Sequence, residues 1–163
     1  KNESPVCAFQ QVSLDLSDVE ARRNLFQKLS NEAKKAVVIT EGLIVYFSDE
    51  EVKSLAHDLY AASCFQYWIT DLVSPRLLRM IQKEIGGPLA QARAPLKFGP
   101  AEGPDFFKPY GWNPVDIRSS LHSAAKVKRT PFWLSLFALL PDSKGRAKNQ
   151  PWGGVILLEK TAK

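Results

Sequence analysis

Three short apolar stretches in the first half of the chain each run into an acidic residue, and a helix signal follows. The first stretch, 9–14, ends at Asp15; the second, 36–40, ends at Glu41; and the third, 65–70, ends at Asp71. In open α/β sheets, ligands bind in the crevice beyond the carboxyl ends of the strands. The three acids are therefore candidates to line one pocket, and the pattern favours part of an enzyme over a structural module.

The clearest strand and helix signals lie between residues 36 and 60. The run 36–40, Ala-Val-Val-Ile-Thr, has no alternation, which is typical of a strand buried on both faces of a parallel sheet, although so short a run also permits a partly helical structure. Ser17 with Glu20 and Ser48 with Glu51 match the capping box of a helix start. After Ser48, helical spacing predicts a face that packs on the sheet, formed by Val52, Leu55, Ala56, Leu59 and Tyr60.

A third helix is predicted to begin at Ser74 and Pro75 and to end at Gly86-Gly87-Pro88. The expected order up to that point is β-α-β-α-β-α. Further on, 115–127 suits a helix and 132–140 suits a strand or a short helix. A final strand is predicted at 154–159, and two late strands after a parallel core predict an antiparallel hairpin at the edge of the sheet.

The segment 88–112 is rich in proline, glycine and aromatic residues. One interpretation is a surface connection that a few aromatic side chains anchor. The other is a lid that faces a substrate, because long irregular segments often carry function. The aromatic residues are Phe98, Phe106, Phe107, Tyr110 and Trp112.

The composition, 163 residues with 45% hydrophobic and 24% charged, is ordinary for a single domain spanning 1–163. The polar start predicts no signal peptide, and no apolar run is long enough to cross a membrane. We expect Cys7 and Cys64 to be buried, reduced thiols, which favours a cytoplasmic location.

The net charge of +5 invites a nucleic-acid interpretation, but the basic residues are scattered and lack interleaved aromatic side chains, so we expect no nucleic-acid partner. His57 and His122 are isolated, and no metal site is predicted. The chain has neither a glycine-rich phosphate loop nor a recognisable catalytic triad. Acids at strand ends would instead suit hydroxyls, an amine or a positive centre, which favours group transfer from a cationic donor.

Two blocks of the sequence resemble the S-adenosylmethionine-dependent O-methyltransferases of the leucine carboxyl methyltransferase type. They are Val-Ser-Leu-Asp-Leu-Ser-Asp at 12–18 and Val-Ile-Thr-Glu-Gly-Leu-Ile-Val-Tyr-Phe at 38–47. Weaker similarities lie at 70–75, 110–112 and 153–155. The resemblance implies a doubly wound, Rossmann-like α/β sheet of the class I methyltransferases, largely parallel with an antiparallel C-terminal hairpin.

The resemblance also implies S-adenosyl-L-methionine as the cofactor and a set of binding residues. Asp15 and Leu16 would lie beside the adenine. Glu41, Gly42 and Leu43 would form the floor near the methionine moiety, and Tyr46 would support that loop from the start of the following helix. Without the resemblance, Glu41 is a carboxylate at a helix entry and Asp15 is part of the turn before Ser17. No catalytic residue is nominated.

The chain also departs from this family. A glycine-containing first strand and an acid-tipped second strand, which hold the cofactor in the family, do not occur. In the family's sheet they lie between the strands that end at Asp15 and Glu41, so we expect an incomplete fragment. Because unpaired strand edges invite association, the chain should bind its missing N-terminal half, exchange strands with a second copy, or rearrange locally.

The expected reaction is methyl transfer to a carboxylate or hydroxyl of a small molecule or of a carboxyl-terminal peptide. Two other classes stay open. A nucleotide-binding oxidoreductase also uses acid-tipped parallel strands, and a glycine fingerprint upstream would favour it. A non-catalytic protein-interaction module would expose a patch of Phe106, Phe107 and Trp112.

Overall fold

The computed structural model describes residues 6–91, 94–121, 123, 144–146 and 149–162. In chain order the elements are α1 (Val19–Glu32), β1 (Ala36–Thr40), α2 (Asp49–Ala61), β2 (Phe65–Val73), α3 (Pro75–Gln91), β3 (Trp112–Ser119) and β4 (Gly153–Lys160), with short 3-10 helices at Ile44–Tyr46 and Gly103–Tyr110.

The four strands form one mixed sheet in the order β1-β2-β4-β3. β1 and β2 are parallel, with Val38 opposite Trp68 and Thr40 opposite Thr70. β4 lies between β2 and β3 and is antiparallel to both. Three strands therefore run in one direction and β4 runs against them. This arrangement confirms an α/β fold with a mixed sheet that contains a parallel pair and an antiparallel C-terminal pair. The partner of β4 is β3, which lies at the edge of the sheet, and not the expected segment 132–140, which lies outside the described residues.

One face of the sheet carries the hydrophobic core, which α1, α2 and the second 3-10 helix cover. The ring of Phe26 on α1 meets Phe65 edge-on at 5.3 Å, and Trp68 meets Phe107 at 5.1 Å. Edge-to-face aromatic contacts of this kind add stability beyond the burial of area. The apolar positions predicted for α2 are buried, apart from the partly buried Tyr60. The core therefore lies on the α1–α2 side.

No described element covers the opposite face of the sheet. Val37 is 52% exposed and Ile39 is 68% exposed on β1. The row continues across the sheet, because Ile39 pairs with Ile69 and Ile69 pairs with Leu157. The expectation that 36–40 is buried on both faces is therefore wrong for the described residues. The helices pack only against Val38 and its neighbours on the other side.

The N-terminal segment contains no strand from residue 6 to residue 15, so the prediction of a strand at 9–14 is wrong. Phe9 is 71% exposed and Val12 is 50% exposed. A strand needs a neighbour that accepts and donates its backbone hydrogen bonds, and none of the described strands lies beside this segment. Cys7, expected to be buried, is exposed, whereas Cys64 is buried as expected.

Several helix and strand boundaries follow the sequence signals and others do not. The strand at 36–40, the capping box of Ser48 and Glu51 and the helix start at Pro75 are confirmed. The cap of α1 is Asp18 and not Ser17, since Asp18 accepts hydrogen bonds from the amides of Glu20 and Ala21, both at 3.1 Å.

Helix α3 runs through Gly86-Gly87-Pro88 to Gln91, beyond its predicted end. Glycine and proline both destabilise a helix interior, so their presence made 86–88 a reasonable predicted end, and the helix continues for three residues beyond Pro88 despite this cost. β2 continues to Val73, so Asp71 lies within the strand. Residues 115–119 form part of β3, where a helix was expected, and 132–140 lies outside the described residues. Within the described residues, no helix is long and apolar enough to cross a membrane.

Candidate functional site

The carboxyl ends of β1 and β2 bring Glu41, Gly42 and Asp71 to one edge of the sheet. Because the two strands are parallel and Thr40 pairs with Thr70, the residues that follow each threonine are neighbours. The amide of Gly42 donates a 3.0 Å hydrogen bond to Asp71 Oδ1. Asp71, which lies within β2 two residues before its end, is therefore beside the turn that contains Glu41 and Gly42.

A buried chain of hydrogen bonds, formed by one indole and two threonine hydroxyls, links the ends of β1 and β2 on the core side of the sheet. The indole Nε1 of Trp68 donates to Thr40 Oγ1 at 2.9 Å, and Thr40 Oγ1 donates to Thr70 Oγ1 at 2.8 Å. Thr40 and Thr70 are both buried. Buried polar groups that are fully hydrogen-bonded hold a single arrangement of the backbone. The ends of β1 and β2 are therefore fixed relative to one another.

The turn at Gly42 explains why this position is glycine. Its φ is +58°, in the left-handed region, and a Cβ built there would meet nothing within 4 Å. The constraint on Gly42 is therefore conformational, because an L residue is disfavoured at this φ even where there is space. The backbone at Gly42 is exposed and open to a ligand.

The three predicted residues on either side of Gly42 differ in exposure and role. Glu41 is exposed, and its side chain makes no hydrogen bond or salt bridge to any residue that the structure describes. Leu43 is partly buried at the start of the first 3-10 helix. Tyr46 is also partly buried, and it lies in that 3-10 helix, before α2 begins at Asp49. The Glu41 carboxylate is thus free to bind a ligand as far as the described residues are concerned.

Asp15 lies in the turn before α1 and is exposed. Its Oδ1 accepts from the hydroxyl of Ser17 at 2.7 Å and from the amide of Ser17 at 2.8 Å. The hydroxyl hydrogen bond, followed by the amide hydrogen bond, lowers the pKa of Asp15. This is the local turn contact that the sequence allowed for Asp15, and it leaves Oδ2 available.

An ion pair that the sequence analysis missed holds the backbone at Leu16. Arg22 is 1% exposed, and its Nη1 donates to the Leu16 carbonyl at 2.8 Å. The same guanidinium donates to Ser54 Oγ at 2.8 Å and pairs with Asp58 on α2. Through Arg22, the backbone carbonyl of Leu16 is therefore linked by hydrogen bonds to both α1 and α2.

The sequence did contain a signal for this pair. Arg22 falls on the helical stripe of Leu25, Phe26 and Leu29, and Asp58 lies three residues after the buried Leu55. A charged residue within each of two facing apolar stripes indicates a buried ion pair, because an isolated charge is too costly to bury.

The capping box at the start of α2 changes the titration of Glu51. The backbone amide of Ser48, followed by its hydroxyl, lowers the pKa of Glu51 through hydrogen bonds. The first turn of α2 begins at Asp49, directly after the 41–47 segment and Ser48.

The segment 94–112 lies against this edge without forming a deep pocket. The amides of Lys97 and Phe98 donate to the Val45 carbonyl at 2.7 Å and 3.0 Å. Between Asp71, Val45 and Phe98 there is a cavity of only about 10 Å³. The described part of the site is therefore a shallow surface that is open to solvent.

The aromatic residues of this segment belong to the core. Phe98, Phe107 and Trp112 are each 1% exposed or less, and Phe106 is 7% exposed. The exposed patch of Phe106, Phe107 and Trp112 that an interaction module would present is therefore not there. His57 is exposed, and His122 lies outside the described residues.

Comparisons with protein-family models and with curated proteins find no match. Among solved structures, the chain is similar to the crystal structure of magnesium protoporphyrin IX methyltransferase from Synechocystis PCC 6803 with bound SAH. The identity is 12% and the TM-score is 0.47, over 92% of this chain and 50% of that chain. The chain therefore spans about half the length of that structure. The α/β class assigned above rests on the strand order and pairing.

Proposed function

We propose that this chain is the C-terminal part of an S-adenosylmethionine-dependent O-methyltransferase of the leucine carboxyl methyltransferase type. The observation that carries the proposal is the meeting of Glu41, Gly42 and Asp71 at the carboxyl ends of two parallel strands. Glu41 and Gly42 belong to the more specific of the two resembling blocks, and the sheet ends in the antiparallel hairpin that the resemblance implies.

The residues at this edge suit a cationic donor. S-adenosyl-L-methionine supplies a methyl group on a positively charged sulfur. Glu41 is exposed and makes no hydrogen bond or salt bridge to another described side chain, so its carboxylate is available to the α-ammonium of the methionine moiety, a positive group that S-adenosylhomocysteine shares. Asp71 has one oxygen engaged by Gly42, which holds the loop in place. Gly42 allows a ligand to approach the backbone, and Leu43 and Tyr46 would complete this side of the site.

At the other end of the site, Asp15 and Leu16 would receive the adenine. Asp15 Oδ1 already accepts from Ser17, so Oδ2 would accept from the exocyclic amine. The Leu16 carbonyl already accepts a hydrogen bond from Arg22. The contact with the adenine ring would therefore come from the Leu16 side chain. Arg22 would act as a positioning residue for this turn.

The chain's contribution to the reaction would be orientation and exclusion of water. Holding an acceptor oxygen in line with the donor lowers the entropic part of the barrier. A carboxylate acceptor, on a small molecule or at a peptide C-terminus, is already ionised and needs no base. A hydroxyl acceptor would need one.

The partner that completes the fold would be an N-terminal half or a second copy of the chain. The open edge of β1 and the uncovered face with Val37 and Ile39 support this part of the proposal. Both features are costly to leave in water, and an added strand with its helix would cover them together. Light scattering with and without a separately produced N-terminal half measures the association. A chain that stays monomeric in both samples would contradict it.

Calorimetric titration of S-adenosylhomocysteine tests the activity assignment. The parent protein with its N-terminal sequence should bind, the 163-residue chain alone should bind far more weakly, and Glu41→Ala in the parent should reduce affinity at least tenfold. Glu32→Ala, an exposed acid at the end of α1, is the matched control and should bind as the parent does. Binding of NAD⁺ in place of S-adenosylhomocysteine would instead favour the oxidoreductase.

A further inference from the structure

Helix α3, which begins directly after β2, presents three cations on one face. Arg76, Arg79 and Lys83 follow an i, i+3, i+7 spacing, so their side chains lie along one side of the helix. With a rise of about 1.5 Å per residue, they span roughly 10 Å. All three residues are exposed.

A second segment of the chain turns this face into a cavity. Arg76 Nη1 donates to the Asn149 carbonyl at 2.8 Å, and the Ser74 hydroxyl donates to the Gln150 carbonyl at 2.9 Å. These bonds fix residues 149–150 beside the start of α3. The resulting cavity has a volume of about 410 Å³ and is lined by Arg76, Arg79, Met80, Lys83 and Asn149. Arg76, Arg79, Met80 and Lys83 are all exposed, so the cavity is shallow and open to solvent.

The charge of this cavity is not neutralised by the described residues. Some exposed cations have carboxylate partners, such as Lys53 with Glu50 and Arg118 with Asp116, whereas Lys34 and Lys35 have none among the described residues. No salt bridge joins Arg76, Arg79 or Lys83 to any described carboxylate, and Glu84 is not among the lining residues. Like charges at helical spacing repel one another, so the cluster is a local source of strain that an anion would relieve.

The position of Arg76 adds to this argument. It lies in the first turn of α3, which has no acidic residue, whereas the first turn of α2 contains Asp49, Glu50 and Glu51. A cation at a helix N-terminus opposes the helix dipole, and an acid there is favourable. The hydrogen bond to the Asn149 carbonyl gives Arg76 a structural role, but it occupies only one of the guanidinium nitrogens. An anion bound beside it would interact favourably with both the guanidinium and the helix end.

We infer that this cavity binds a small molecule with two or more phosphate groups. Guanidinium groups match phosphate oxygens in bidentate geometry, and Lys83 adds a point charge farther along the helix. The length of the cluster suits linked phosphates better than a single anion. Met80, which is 47% exposed, offers an apolar surface for the remainder of the ligand. The site is independent of the methyltransferase proposal.

Titration of the full 163-residue chain with pyrophosphate and with ADP at low ionic strength tests the inference. We expect saturable binding with one site, and Arg79→Gln with Lys83→Gln should weaken it at least tenfold. The matched control, Lys53→Gln with Arg118→Gln, removes the same charge from cations that have carboxylate partners and should change affinity less than twofold. Thermal unfolding of both double variants checks that they stay folded.

Comparison of the two probes identifies the ligand class. Equal affinity for pyrophosphate and ADP would assign binding to the phosphate groups alone, and tighter binding of ADP would place its nucleoside against Met80. Both results support the site. The absence of saturable binding by either probe would overturn it, as would equal losses in the two double variants, because the effect would then follow total charge.

Discussion

The backbone amide of Gly42 donates to Asp71 Oδ1 at 3.0 Å, and this bond joins the turn after β1 to the neighbouring parallel strand. Asp71 is partly buried and Gly42 is exposed. The bond therefore connects a residue that the sheet holds in place with one that only the turn holds.

Replacing Asp71 with alanine should loosen this turn without unfolding the sheet. One lost hydrogen bond corresponds to about 1 kcal/mol, so the amide of Gly42 should exchange with solvent roughly fivefold faster. Asp71→Asn keeps an acceptor oxygen and should preserve protection. Hydrogen exchange measured by NMR at Gly42 distinguishes the two variants. Identical exchange in all three proteins would show that the bond does not hold the turn.

A side chain at position 42 should destabilise the fold through the backbone alone. Since φ is +58° and a Cβ meets nothing within 4 Å, Gly42→Ala should lower the free energy of unfolding by about 1–2 kcal/mol. Gly42→Asn should cost less, because asparagine adopts the left-handed conformation more readily. Urea denaturation measures both. An alanine variant as stable as the asparagine variant would argue against the conformational explanation.

Removal of the buried guanidinium of Arg22 should lower the free energy of unfolding far more than removal of the exposed guanidinium of Arg23. Arg22→Met leaves Asp58 without one of its two cations, and breaking a buried pair costs about 3–5 kcal/mol. Arg23 also contacts Asp58, but its side chain is 64% exposed, so Arg23→Met should cost less than about 1 kcal/mol. Thermal and urea unfolding measure the difference. Equal losses would mean that Arg22 has no special role.

The capping box of α2 should make stability depend on pH. Hydrogen bonds from Ser48 hold the pKa of Glu51 below its ordinary value in the folded chain. A lowered folded pKa means that the stabilisation is present at neutral pH and is lost as the pH falls through that pKa. Glu51→Gln keeps an acceptor for Ser48 and does not titrate. The stability advantage of the wild-type chain over the Glu51→Gln variant should therefore shrink on acidification.

Urea denaturation of both proteins from neutral pH to about pH 3 measures this difference in slope. Ser48→Ala should cost about 1 kcal/mol at neutral pH, since the helix loses its N-cap. Parallel pH profiles for the wild-type chain and Glu51→Gln would contradict the assignment.

Local sequence signals predicted those helices and strands whose formation depends on residues close together in the chain. The β-branched run at 36–40, the pair Ser48 and Glu51, and Ser74 with Pro75 all define elements where expected. The proximity of Asp71 to the turn after β1 was also expected, because the carboxyl ends of parallel strands lie at the same end of a sheet, although β2 continues two residues beyond Asp71. The same logic failed for 9–14, which has the composition of a strand but no neighbour to pair with.

The contacts that only the tertiary structure decided are long-range ones. Arg22 meets Asp58 across two helices, and Arg76 meets Asn149 from a segment far along the chain. Helical spacing shows which residues share a face, but it does not show which faces meet. The sequence by itself determined β1, β4, the start of α3 and the capping box of α2, whose signals are local. The buried ion pair, the aromatic core and the basic cavity required the packed fold, because burial and charge compensation depend on residues distant in the chain.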